Sequence, residues 1–312
     1  MAGRYLVYLN WPERCFRAER PEIECLKTVL PPGSAVVRVR SDAAFLRELP
    51  KATNVLTWHF KKEWFSAAKR MKVLATPAAG RELVAWESAP SGVKVHFGHF
   101  HGPIIAESVA AFVLAWARGF FAVERQDDPW PRTWLGERCL SVAGTKADVV
   151  GYGNIGRAIG AKLESLGVEV TGVTRHGVFR KSQRIAARGG KSARQFASAD
   201  WCVLALPSTA ATDNWLDAAL VARLPRRCVV VNVGRGNAVD ERALYDALKS
   251  RRIAGAYLDV RKHEPSATVL EAPGYVPELA KLPNCVVMPH SSAFYAGYMR
   301  SFFMELKADA CL

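Results

Sequence analysis

Val149-Val150-Gly151-Tyr152-Gly153-Asn154-Ile155-Gly156 decides how the chain is read. A short β-branched run ends in three glycines spaced G-x-G-x-x-G. Residues 157–166 follow as a mix of small and apolar side chains that reads as a helix. A second apolar run, Val168-Glu169-Val170-Thr171-Gly172-Val173, then closes a strand–helix–strand unit. In that setting glycine lets the backbone turn tightly and come close to a pyrophosphate. The helix N-terminus adds free N–H groups and a partial positive charge. The spacing alone is a weak signal, because glycine-rich structural turns are common. Between two strands and a helix it predicts a dinucleotide site on Gly151, Gly153, Asn154, Ile155 and Gly156.

Composition sets the frame around this unit. The 312 residues predict two domains, and 50% hydrophobic with 23% charged residues suits a globular protein with a substantial core. The net charge of +14 raises nucleic acid as a partner, but the 43 basic residues are spread along the chain with no long Lys/Arg block. A positive field also suits a phosphate-rich cofactor and acidic substrates, so no nucleic-acid partner is expected. No apolar run is long enough to span a bilayer, and residues 5–9 are too short for a secretory signal. The seven cysteines are scattered without a C-x-x-C pair. Reduced thiols and a cytoplasmic location are the expectation.

The first hundred residues read as a small α/β domain. Expected strands are 5–9, 36–40, 54–58, 72–75 and 93–96, with helical segments at 15–30, 43–49 and 63–69. Such alternation predicts parallel strands covered by helices. Pro103 can open a helix at its first turn. Residues 104–123 are strongly apolar and read as a buried helix at a domain or subunit interface, and 126–136 as an irregular excursion. A second α/β domain surrounds the glycine loop. Its further strands are expected at 201–206, 228–232, 255–259 and 285–288, and its helices at 158–166, 193–196, 217–223 and 241–250. Pro207 and Pro289 stop two of these strands, where ligand loops emerge.

Three polar side chains stand at the ends of the later strands. Arg235 lies between two glycines after Val229-Val230-Val231-Asn232. Glu264 follows Ala256-Tyr257-Leu258-Asp259-Val260, and His290 ends Cys285-Val286-Val287-Met288-Pro289. Each has an ordinary reading: a solvated arginine, a turn glutamate, a packed histidine. The carboxyl ends of parallel strands share one crevice, so their ordered occurrence behind a dinucleotide loop predicts that they converge.

From about Gly144 to His290 the sequence resembles the D-isomer-specific 2-hydroxyacid dehydrogenases, in particular the glyoxylate/hydroxypyruvate reductase type. The resemblance rests on Gly151-Tyr152-Gly153-Asn154-Ile155-Gly156, Leu206-Pro207-Ser208-Thr209 with Thr212, and Val231-Asn232-Val233-Gly234-Arg235-Gly236 with Val239-Asp240. It continues through Gly255-Ala256, Leu258-Asp259-Val260, Glu264-Pro265 and Pro289-His290. Over residues 1–100 it is faint, although Ala106-Glu107-Ser108-Val109-Ala110 looks like the family's interdomain helix.

The resemblance implies two doubly wound parallel-sheet α/β domains. One is a Rossmann cofactor domain at 103–289. The other is a flavodoxin-like substrate domain at 1–102, completed by 290–312, with the active site in the cleft between them. It implies hydride transfer between a nicotinamide dinucleotide and a small 2-oxo or 2-hydroxy acid. Arg235 would hold carboxylate and carbonyl, His290 would move the proton, and Glu264 would orient and charge the imidazole. Asp259 would contact the nicotinamide carboxamide. Pro207, Ser208, Thr212, Val233 and Gly234 would complete the cofactor site. Backbone N–H groups at Ala79 and Gly80 would hold the substrate carboxylate. Residues 104–123 with Trp130 and Trp134 look like the family's dimer-forming region, so a homodimer is expected.

The second cofactor strand ends Val173-Thr174-Arg175-His176, without the carboxylate that binds ribose hydroxyls in NAD-preferring enzymes. Arg175, beside His176, predicts NADP as the preferred cofactor, with NAD possible. The alternative is that Arg175 stacks on adenine. Three features depart from the family pattern. Asp148 lies within the first cofactor strand, which predicts either a place at its exposed start or a weakened domain. Arg81 follows Gly80 where the family commonly has Val-Asp, and reads as an acidic-substrate contact or a surface charge. His96, His99 and His101 lie close together, but no acidic partner set is evident, so they read as a cleft-lining loop and no metal site is expected. The alternatives to a reductase are a non-catalytic, nucleotide-sensing corepressor-like protein, and a phosphonate or other acid dehydrogenase on the same fold. The formate branch places glutamine where this chain has Glu264.

Overall fold

The computed structural model describes residues 2–123, 130–180, 183–186, 196–264 and 274–309. The chain divides into two compact units, Met1–His101 with Phe294–Leu312, and Gly102–Ala293.

The first unit is built on five parallel strands, β1 (Arg4–Tyr8), β2 (Ala35–Arg38), β3 (Asn54–Thr57), β4 (Val73–Thr76) and β5 (Lys94–Phe97), in the order β2-β1-β3-β4-β5. This is the flavodoxin-like strand order. All five expected strands are present within one or two residues of their predicted ends. The expected helix at 15–30 is instead a 3-10 turn, Arg14–Phe16, followed by α1 (Arg20–Val29). Pro21 in the first turn and a Glu19/Glu22 capping box set the true start. The helix expected at 63–69 is only a 3-10 segment, Lys62–Ser66. Helix α2 (Asp42–Glu48) is capped by the Ser41 hydroxyl. Phe45, Leu49, Val55 and Leu74 form a solvent-free centre. The C-terminal helix, Tyr298–Ala308, packs on α1 and buries Phe302, Phe303 and Leu306.

The second unit holds an eight-stranded sheet. Its strands are β6 (Lys146–Val150), β7 (Glu169–Val173), β8 (Val178–Arg180), β9 (Gln183–Ala186), β10 (Trp201–Leu204), β11 (Val229–Asn232), β12 (Gly255–Leu258) and β13 (Cys285–Val287). The order is β13-β12-β11-β10-β6-β7-β8-β9, parallel from β13 to β7 and antiparallel thereafter. The edge hairpin β8–β9 was not anticipated. After β7 the Thr174 N–H bonds the Gly177 carbonyl at 2.9 Å, and this tight turn reverses the chain into the antiparallel β8. Strands β10, β11 and β12 are buried throughout, which explains their continuous apolar runs.

Helix α3 (Gly102–Ala117) ends before Gly119, whose φ of +75° only glycine adopts easily. The single helix expected over 104–123 is therefore two, the second being Phe120–Val123. Part of the 126–136 excursion is the short helix Arg132–Gly136; 126–129 lie outside the described residues, as does most of the helix expected at 193–196. Helix α4 (Asn154–Ser165) follows β6 and packs on α3. Helix α5 (Glu241–Lys249) is capped by the Asp240 carboxylate.

Asp148 does not sit at an exposed strand start. It is buried in the middle of β6, in register with Cys202 and Thr171 on either side. Among the described residues six cysteines are free, and burial raises the thiol pKa of Cys285 to about 12. Among the same residues no helix is long and apolar enough to cross a membrane.

Candidate active site

Strand order reverses between β6 and β10, and the glycine loop leaves the carboxyl end of β6 at that switch point. The three glycines answer different demands. Gly151 has φ +88°, and a Cβ there would lie 2.4 Å from the Ala205 carbonyl oxygen. At Gly156 a Cβ would lie 2.2 Å from the Gly151 carbonyl oxygen, so glycine lets α4 close onto the strand. Gly153 is different. Its φ is −85°, and among the described residues no atom beyond its immediate chain neighbours lies within 4 Å of its Cβ position. No contact among the described residues requires glycine there, and the open space suits a pyrophosphate approaching the N-terminus of α4. The loop therefore fits a dinucleotide by the space it keeps open. Asn154 is exposed and Ile155 half-buried at the same helix end.

The Gly151 N–H bonds the Val173 carbonyl at 2.9 Å, which ties the loop to the end of β7. Arg175 and His176 occupy the exposed turn that follows. The His176 N–H donates to the Thr174 hydroxyl at 3.2 Å, and no carboxylate lies in the turn sequence Thr174-Arg175-His176-Gly177. Beyond β10, Pro207 and Ser208 start a loop folded on itself. The Thr212 hydroxyl lies 2.7 Å from the Pro207 carbonyl and accepts the Thr209 N–H at 2.9 Å. In the described structure Thr212 thus shapes this loop.

Strand β11 delivers Arg235. Val233 and Gly234 are buried, and a Cβ on Gly234 would come within 2.5 Å of the Leu206 backbone. At Gly236 a Cβ would meet the Arg261 backbone at 2.0 Å. Two glycines flank the arginine because loops press on its backbone from both sides. Asn232 finishes the bend: its amide donates to the Arg235 carbonyl at 3.1 Å and its side-chain oxygen accepts the Gly234 N–H at 3.1 Å.

His290 lies in left-handed backbone with φ +53°. For a non-glycine residue that costs about 1–3 kcal/mol and needs an enforcing structure. Asp259 at the end of β12 supplies it. The Asp259 carbonyl accepts the His290 N–H at 2.9 Å. Its buried carboxylate accepts the N–H groups of Ser291 at 2.9 Å and Ser292 at 3.0 Å, together with the Ser292 hydroxyl. The described bonds of Asp259 clamp the histidine turn.

His290 Nδ1 meets Glu264 Oε2 at 2.9 Å. This bond raises the imidazole pKa above its usual 6.5, against the opposing effect of burial; the charges of Glu264 and Asp259 add to the rise, and that of Arg235 opposes it. Glu264 and Arg235 therefore both act on His290 within the second unit. With Nδ1 engaged by Glu264, Nε2 is the ring nitrogen left open to exchange a proton. Pro265 lies outside the described residues.

Spacing gave no sign of the support beneath this site. Buried Glu241, first residue of α5, pairs with buried Arg261 through bonds of 2.9 and 2.8 Å. Glu241 also accepts the N–H groups of Lys262 at 2.9 Å and Val276 at 2.8 Å. The pair anchors the segment that leads to Glu264. Two charged residues 20 apart become legible only once the sheet brings them together.

Ala79 and Gly80 belong to the first unit, in the loop after β4, where the Ala78 carbonyl accepts the Gly98 N–H at 3.0 Å. Arg81 stacks its guanidinium over Trp86 at 4.8 Å and Phe97 at 5.3 Å. The three loop histidines all meet the C-terminal helix or its cap. His96 Nε2 is 2.9 Å from Glu305, His99 approaches Glu305 and Asp309, and His101 Nε2 is 2.7 Å from the Tyr298 hydroxyl. Acidic partners that were not evident in the sequence are supplied from more than 200 residues away.

Residues 110–292 match the family described as D-isomer specific 2-hydroxyacid dehydrogenase, NAD binding domain. D-3-phosphoglycerate dehydrogenase 1 of Saccharomyces cerevisiae is 27% identical over 88% of this chain and 58% of its own length. The chain thus spans under three fifths of the length of that relative. A glyoxylate reductase of Korarchaeum cryptofilum is 28% identical over 94% of this chain and 87% of its own. The NADPH-dependent glyoxylate/hydroxypyruvate reductase of Sinorhizobium meliloti, solved with NADP and sulfate, superposes with a TM-score of 0.76 over 99% of this chain and 94% of that one, at 23% identity. With two parallel-sheet α/β units and a family match across more than half its residues, the chain belongs to the D-isomer specific 2-hydroxyacid dehydrogenase family.

Proposed function

We propose that this protein is an NADPH-preferring reductase that converts a small 2-oxo acid of the glyoxylate/hydroxypyruvate type to its D-2-hydroxy acid. The observation that carries the reading is the 2.9 Å bond between Glu264 and His290, on a turn clamped by Asp259 and under the field of Arg235. Glyoxylate reductases among the relatives support the substrate class.

The unit Gly102–Ala293 holds the dinucleotide at Gly151, Gly153, Asn154, Ile155 and Gly156, with Pro207, Ser208, Val233 and Gly234 lining it. Ala79 and Gly80 are assigned as backbone donors to the substrate carboxylate, by the family resemblance of their loop. When bound, the nicotinamide supplies the hydride. Arg235 offers its planar fork to the carboxylate and the adjacent carbonyl. His290 gives the Nε2 proton to the carbonyl oxygen in reduction and takes the hydroxyl proton in the reverse direction. Glu264 fixes the ring and favours its charged form, and Asp259 positions it. Arg175 favours a 2′-phosphate, supported by the acid-free turn it occupies. Phe120 and Trp130 are large exposed apolar side chains, which supports a homodimer through that region.

The test is consumption of NADPH and of NADH against a panel of glyoxylate, hydroxypyruvate, phosphohydroxypyruvate and larger 2-oxo acids. Turnover with a higher kcat/KM for NADPH is expected. Tight cofactor binding with no turnover on any acid would replace this reading with a nucleotide sensor. Equal kcat/KM for both cofactors would remove the role given to Arg175.

A further inference from the structure

We propose that His96, His99, Glu305 and Asp309 form a binding site for one divalent cation of the zinc class, on the face of the first unit where the C-terminal helix meets strand β5. One ligand atom from each of the four lies within 4.8 Å of all the others. Each histidine faces both carboxylates: His96 Nε2 is 2.9 Å from Glu305 and its Nδ1 3.8 Å from Asp309, while His99 Nδ1 is 3.4 Å from Glu305 and its Nε2 3.5 Å from Asp309. Each imidazole offers one ring nitrogen at a time, and with one atom per residue the set lies within 4.8 Å. Donors about 2.0–2.2 Å from a tetrahedral zinc ion stand about 3.3–3.6 Å apart, so the side chains would draw in by about 1 Å to seat an ion.

The local structure presents these groups together. His96 lies in β5, and His99 follows in the loop that leaves it. Glu305 and Asp309 are four residues apart and so share one helix face, Asp309 being the cap residue of the C-terminal helix. Both carboxylates sit in or beside the helix's last turn, the negative end of its dipole, where acidic groups are disfavoured and a cation is favoured. Lys94 reaches the backbone carbonyl of Asp309 at 3.3 Å. Two imidazoles with two carboxylates make a borderline donor set that suits zinc, cobalt or nickel better than magnesium or calcium.

The site also has an anchor and an entrance. His96 and Glu305 are buried, whereas the side chains of His99 and Asp309 are 54% and 36% exposed. Glu305 is held in place by the His99 N–H at 3.0 Å. With four protein ligands the site is closed, which fits a structural ion stapling the end of the chain to the sheet more than 200 residues earlier. The inference does not depend on the reaction assigned to the second unit.

The experiment uses the full chain, freed of metal by dialysis against a chelator and titrated with Co²⁺. Expected are one Co²⁺ per chain, the visible absorption of a tetrahedral cobalt centre, loss of that absorption on adding one equivalent of Zn²⁺, and a higher Tm with Zn²⁺. His99→Ala and Asp309→Ala, both at the exposed edge, should each weaken Zn²⁺ binding at least tenfold, with folding checked by circular dichroism. His99→Gln gives a second variant if either fails to fold. His290→Ala should bind the ion as the unaltered chain does. Absence of saturable Zn²⁺ binding below millimolar, or equal binding by the His99 and Asp309 variants, would overturn the proposal and leave the four residues as an ion-paired latch.

Discussion

An imidazole meets a carboxylate at 2.9 Å in each unit, His290 on Glu264 and His96 on Glu305, but the surroundings differ. In the second unit a single histidine faces a single glutamate, on left-handed backbone, with Asp259 bracing the turn and Arg235 nearby. That arrangement holds one ring in one orientation, leaves Nε2 for exchange and keeps the ring charged to higher pH. In the first unit two histidines face two carboxylates in the last turn of a helix. There the donors converge on a point instead of presenting a proton. On the two proposals made above, the same two residue types serve acid–base chemistry or cation binding according to how many converge and what stands beside them.

The largest way to break this contrast is His290→Ala. Removing a general acid costs about 10²–10⁴-fold in kcat, so kcat for 2-oxo acid reduction should fall by about that factor while NADPH affinity is kept. Steady-state kinetics and cofactor titration check both halves. A modest loss would place the proton donor elsewhere.

Glu264→Gln sharpens the contrast by leaving the ring and removing the charge. Glu264 raises the His290 pKa above 6.5, and reduction needs the protonated ring. The rate of reduction therefore holds at low pH and falls as pH rises through the raised pKa. In the variant that fall should move to lower pH, with a loss of about 10- to 100-fold at neutral pH. An unmoved pH profile of kcat/KM would contradict the pairing.

The parallel change in the first unit is Glu305→Gln. Buried Glu305 serves His96 and the His99 N–H, so loss of its charge should cost about 1–3 kcal/mol of stability in metal-free protein. Urea unfolding measures this, and an unchanged midpoint would mean the cluster contributes nothing to the fold. The smallest expected effect is Arg175→Ser, which should lower the NADPH-to-NADH ratio of kcat/KM by about tenfold or less through loss of one exposed charge-assisted contact.

Much of this architecture was legible because parallel strands buried on both faces leave continuous apolar runs. Val229-Val230-Val231 and Trp201-Cys202-Val203-Leu204 are the clearest, and the polar residues that follow such runs share one edge of the sheet. Arg235, Glu264 and His290 were visible on that logic. The β8–β9 hairpin was not, because strands of three and four residues are too short to show a period. The break in α3 at Gly119 was hidden inside an apolar run. The clamp by Asp259, the Glu241–Arg261 pair and the meeting of His96 with Glu305 depend on contacts across 20 to more than 200 residues, for which local spacing carries no signal. Asp148, expected at an exposed strand start, is buried because β6 is the central strand between β10 and β7.

One comparison tests the central claim most directly: NADPH oxidation by the unaltered chain and by His290→Ala, with glyoxylate or hydroxypyruvate as acceptor and cofactor binding measured in parallel. Rapid turnover that collapses in the variant while NADPH still binds is the predicted result. No turnover by the unaltered chain across the acid panel, or full activity without the histidine, would contradict it.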